Sequence, residues 1–186
     1  MAYQAKIRMM PSTPLGGGAA LITTRPQKTS ATFELGDPVK IASGNVVACT
    51  GSANKGTGST LTLGVKASSV NLMTGIAGVD AASGAVSDCP VFRFAPGARF
   101  IGNIVHGTAA SAVMTTADIS DNVVFIAKQT SSDTHYGWTK DVGSGISALK
   151  LTLVRGRVTK LIDPASTVNG RVEVEIIAGG VFEGLV

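Results

Sequence analysis

No segment of this chain sustains a helical apolar period over three turns. The apolar residues fall instead into short runs of β-branched and aliphatic side chains, broken by Gly, Asn and Ser. These runs are Pro38–Ile41, Asn45–Ala48, Leu61–Lys66, Val91–Phe94, Arg99–Val105, Ala112–Thr115, Asn122–Lys128, Leu149–Ile162 and Arg171–Ile177. Their spacing and turn chemistry predict an all-β fold, a sandwich or a barrel, with very little helix. Short helices are expected only at Thr116–Ser120 and Pro164–Val168.

The clearest strand is Arg171–Ile176, where Val172, Val174 and Ile176 share one face and Arg171, Glu173 and Glu175 the other. Upstream, Leu149, Leu151 and Leu153 alternate until the phase slips near Gly156, which predicts a bulge or bend there. Arg155, Arg157 and Lys160 are then expected to pair across strands with Glu173 and Glu175. At 5% aromatic residues, the core is expected to be built from Val, Ile, Leu and Ala.

Charge divides the chain. Before Glu34 stand Lys6, Arg8, Arg25 and Lys28 with no acidic residue; from Glu34 onward twelve basic residues meet twelve acidic ones. Residues 1–33 therefore read as an extended basic arm with a hinge at Gly16–Gly18, and residues 34–186 as a single β body. Lys6, Arg8, Leu21, Ile22, Arg25 and Lys28 are the arm's candidate partner contacts; a solvated arm fits the same residues. Four charges without interleaved aromatics argue against nucleic acid. The start of the chain has no continuous apolar stretch, and no run is long enough to span a membrane, so a cytoplasmic origin is expected.

Catalytic patterns are missing. Gly143-Ser144-Gly145 has the wrong spacing for a nucleophile elbow, and His106 and His135 lie far apart with no local partner set. Nothing in the chain implies a metal or a cofactor. The stretch Gly51–Thr60 departs from a phosphate loop because Thr57 stands where the lysine is needed. Cys49 and Cys89 suit neither a disulfide framework nor a zinc site. They close an internal echo, Val39–Cys49 against Val79–Cys89, in which both copies read as hairpins around a Ser-Gly turn. The segment His135-Tyr136-Gly137-Trp138 is turn-like. Tyr136 and Trp138 are candidate anchors for a partner or a sugar, although packing within the fold is the commoner explanation for such residues.

An Ala/Gly/Ser/Thr-rich, Cys-poor β chain with an apolar arm and a Gly36-Asp37-Pro38-Val39 strand start resembles the head decoration, or capsid cement, proteins of tailed bacteriophages. Leu63–Ser69 and Phe92–Gly102 add to the likeness. The resemblance implies a β-sandwich, jelly-roll-like or β-tulip fold and no catalytic residues. It implies a place on the capsid exterior of the virion, bound to the major capsid protein and to itself as a dimer or trimer. A tail or fibre subunit, or a carbohydrate-binding sandwich, is the alternative.

Overall fold

The computed structural model describes residues 10–12, 22–48, 74–84, 87–106, 111–129, 134–140 and 154–177, with backbone alone at 126–129 and 134–136. In chain order the strands are β1 (Met10–Pro11), β2 (Ile22–Pro26), β3 (Pro38–Ala42), β4 (Asn45–Ala48), β5 (Gly75–Ala77), β6 (Asp88–Arg93), β7 (Arg99–Asn103), β8 (Asn122–Gln129), β9 (Thr134–Lys140), β10 (Arg155–Leu161) and β11 (Arg171–Ile176). They form two packed antiparallel sheets, ordered β1-β7-β11-β10-β8-β9 and β2-β6-β5-β3-β4. The fold is an all-β sandwich.

The two sheets repeat one topology. Strands β2 to β6 follow one another into the smaller sheet, and β7 to β11 enter the larger sheet in the same spatial order. In each, the residue after the first strand meets the third strand through a parallel bridge, Gln27 to Val46 and Ile104 to Trp138. The next N–H then donates to that partner's carbonyl: Lys28 to Val46 at 3.0 Å and Val105 to Trp138 at 2.8 Å. In each half the first strand thus touches the third just beyond its own end, while the ladder of β2 itself pairs with β6 alone.

The repeat holds residue by residue. Val39 lies opposite Gly75, and Val123 opposite Gly156. Gly36 and Ser120 both carry positive φ, 83° and 80°. The Gly36 N–H donates to the Ala77 carbonyl at 2.9 Å and the Ser120 N–H to that of Val158 at 2.8 Å. In return, Ala77 and Val158 donate to the carbonyls of Asp37 and Asp121 at 2.9 and 3.0 Å. Glu34-Leu35-Gly36-Asp37-Pro38-Val39 is therefore the structural counterpart of Asp118-Ile119-Ser120-Asp121-Asn122-Val123.

Side-chain alternation sets the layers. In β11, Val172, Val174 and Ile176 are buried as expected. In β6, Cys89 and Val91 enter the smaller core with Phe33, Val39, Val46 and Ala77, while Phe92 packs against the larger one. Strand β5 is buried on both faces: Ile76 joins the larger core and Ala77 the smaller. The scarce aromatics are concentrated in the larger core. Phe94 meets Phe100 at 4.9 Å and Phe125 at 5.6 Å, and Phe125 meets Trp138 edge-on at 5.5 Å. A few large rings fill the centre that small aliphatic side chains alone would leave underpacked.

Several expectations are corrected. The 22–33 part of the arm belongs to the fold: β2 pairs with β6, and Ala31 and Phe33 are buried in the smaller core. Met10 and Pro11 pair with β7. The irregularity in β10 falls between Val158 and Lys160, not at Gly156, which lies in regular pairing and where a Cβ would meet Val174 Cγ1 at 2.2 Å. Pro164–Val168 forms turns, and a single 3-10 turn covers Thr116–Asp118. Residues 112–115 are not a strand, whereas β5 and β9 are strands within segments not read as such. Of the echo, the first copy is a hairpin around Ser43-Gly44; in the second, Ala81 pairs with Phe33 instead. Cys89 is a buried thiol whose pKa burial raises, against weaker pulls from the Gly78 and Val79 backbone. Cys49, Leu61–Lys66 and Leu149–Leu153 lie outside the described residues.

Candidate functional site

In the second half, carboxylates are committed to holding elements together. Asp118 accepts hydrogen bonds from the Thr115 hydroxyl at 2.9 Å and the Lys140 ammonium at 2.6 Å, tying the 3-10 turn to β9. Burial pushes its carboxyl up, but Lys140 and Thr115 outweigh this and hold it below its ordinary value. Glu173 accepts from Ser12 and from the Thr159 hydroxyl, the latter at 2.7 Å, and lies 3.6 Å from Arg99, which also bonds Glu175 at 2.9 Å. Burial again raises its pKa, and the Ser12 and Thr159 bonds with the charges of Arg99 and Lys160 lower it on balance. Lys160 and Arg157 stand opposite Glu173 and Glu175 as expected, with Arg99 pairing from the other flank of β11.

This arrangement has a pH signature. Both folded pKa values lie below the ordinary 3.8 of Asp118 and 4.5 of Glu173. The stabilisation is therefore complete above those values and lost as pH falls through the folded ones. Denaturant unfolding at stepwise lower pH is expected to show this decline, and Asp118→Asn with Glu173→Gln to flatten it. An equally steep decline in that double variant would assign the acid sensitivity elsewhere.

Among the described residues, an open concavity lies in the first half. The turn from Lys28 to Ala31, closed by the Ala31 N–H donating to the Lys28 carbonyl at 2.8 Å, faces the β3–β4 hairpin. Lys40 sits opposite Val47 and Ala42 opposite Asn45, so these four share the hairpin's outward face. Between turn and hairpin is a concavity of about 430 Å³, lined by Lys28, Ser30 and Thr32 on one side and by Lys40, Asn45 and Val47 on the other. Among the described residues no carboxylate lines it. Two ammonium groups with hydroxyl and amide neighbours give it a positively charged, hydrogen-bonding lining.

Of the candidate residues, Lys28 lines this groove, and Ile22 (55% exposed) and Arg25 lie exposed on β2 leading into it. Lys6, Arg8 and Leu21 lie outside the described residues. Tyr136 is on β9, where its backbone alone is described. Trp138 is corrected: it lies on a strand, is 0% exposed, and is a core residue, not a surface anchor. Its neighbour Gly137 suggested a turn, but glycine is needed there because a Cβ would meet the Asn103 carbonyl oxygen at 2.4 Å. Lys40 escaped the sequence reading, although its place between buried Val39 and half-buried Ile41 marks an outward position. Comparison of the chain with protein-family models, with curated proteins and with solved structures found no match.

Proposed function

We propose that this chain is a structural virion protein, a capsid cement or decoration protein of a tailed bacteriophage. It binds the outside of the head through the major capsid protein, associates with itself as a dimer or trimer, and stabilises the lattice without catalysing a reaction. The observation that carries this reading is the strip on the first half where β2, with Ile22 and Arg25 exposed, runs into the Lys28 turn and the basic groove. An exposed edge strand is a template for strand addition by a neighbour, and its basic side chains favour an acidic protein surface. Repetition over a lattice lets modest single contacts add up. The sandwich agrees in kind with the fold that the resemblance implies. Burial of Trp138 removes one of the two anchors, with Tyr136, on which a carbohydrate-binding alternative rests.

Quantitative mass spectrometry of purified particles tests the proposal. Near-equimolar copies with the major capsid protein are expected, and Ile22→Glu with Arg25→Glu is expected to weaken attachment about tenfold. A few copies per particle would indicate a tail or vertex component. Absence from particles would overturn the capsid reading.

A further inference from the structure

We infer that the groove between the Lys28–Ala31 turn and the β3–β4 hairpin seats an extended acidic segment of another protein chain. The internal repeat supplies the first argument. Lys28, Lys40 and Val47 occupy the positions that Val105, Val124 and Thr139 hold in the second half, as the two bridges and strand registers require. In the second half these positions are covered, at 2%, 0% and 2% exposure. In the first half Lys28 is exposed, and Lys40 and Val47 are only half-buried. The same face of the same topology is closed in one copy and open in the other.

Charge identifies the occupant. Two of the three positions carry lysine where the second half has valine, and among the described residues neither ammonium is ion-paired. Ser30, Thr32 and Asn45 add hydrogen-bonding groups along the rim. The volume lies within the range of about 300–1,000 Å³ usual for ligand sites. The chain itself offers no acidic run to fill it. Residues 49–73, which follow β4, contain Lys55 and Lys66 and no acidic residue, and the acidic side chains outside the described residues are the isolated Asp133, Asp141 and Glu183. The complementary segment therefore belongs to a different chain.

The identity of that chain as a shell neighbour rests on the proposed function; the chemistry of the groove does not. Fluorescence anisotropy with a labelled peptide of alternating glutamate and valine tests it directly on the full chain. Binding is expected, lost when glutamine replaces glutamate and weakened by added salt. Lys28→Glu with Lys40→Glu is expected to weaken it at least about tenfold at unchanged thermal stability, and the glutamine double variant to do so less steeply. Failure to bind, equal binding by either the charge-reversed protein or the glutamine peptide, or displacement by inorganic phosphate at the peptide's own concentration would overturn the proposal. Absence of the chain from particles would remove the capsid reading and leave this titration untouched.

Discussion

Replacing Trp138 by alanine is expected to lower the stability of the fold by about 3–5 kcal/mol and its thermal midpoint by about 10 °C. The indole is fully buried and meets the Phe125 ring edge-on, with Phe94 and Phe100 continuing the cluster across the larger core. Truncation removes this ring contact and leaves a cavity that the surrounding β ladders cannot collapse to fill. Among the described residues the indole N–H has no hydrogen-bond partner, so its contribution is packing. Trp138→Phe should therefore cost much less, about 1–2 kcal/mol. Urea unfolding of the three proteins checks both values. A wild-type midpoint for Trp138→Ala would contradict the assignment of this residue to the core.

Gly75→Ala is the second change of large effect, expected to cost about 3 kcal/mol. A Cβ at Gly75 would lie 2.0 Å from the Phe92 carbonyl oxygen and 2.7 Å from its carbon. Both are backbone atoms, and Gly75 is held between Val39 on β3 and Arg93 on β6, so neither side can yield without opening a ladder. Gly156, its counterpart in the second half, is crowded in the same way by Val174 and Glu175. Gly44 makes the control: it sits at φ 77° with nothing within 4 Å of an added Cβ. Gly44→Ala therefore meets only the left-handed backbone penalty of about 1 kcal/mol. Equal losses for the two alanine variants would show that the crowding at Gly75 is relieved by local movement.

Much of the strand content was legible because alternation is a local property. Pro38–Ala42, Asn45–Ala48, Arg99–Asn103 and Arg171–Ile176 all show apolar residues every second position or a tight Ser-Gly turn. Strand β9 was hidden because Gly137 imitates a turn unless the Asn103 carbonyl pressed against it is known. Strand β5 was hidden because three residues, Gly75-Ile76-Ala77, are too short to show a period. The Ala-Ser-Gly strings around residues 42 and 82 imitate a repeat at positions that are not counterparts in the fold. Its true counterparts, Glu34–Val39 and Asp118–Val123, share an acid, an aliphatic residue, a small residue at positive φ, Asp and Val, a match too sparse to stand out.

Local pattern along the chain thus encodes its all-β character, the outward and inward faces of its clearest strands and the turn that joins β3 to β4, because side-chain direction follows from the backbone one residue at a time. Long-range packing instead places Trp138 in the interior, draws residues 22–33 into the fold, and covers in the second half a face that is open in the first. Those outcomes depend on where Gln27 meets Val46 and Ile104 meets Trp138. Such closures join residues far apart in the chain, and no local pattern encodes them.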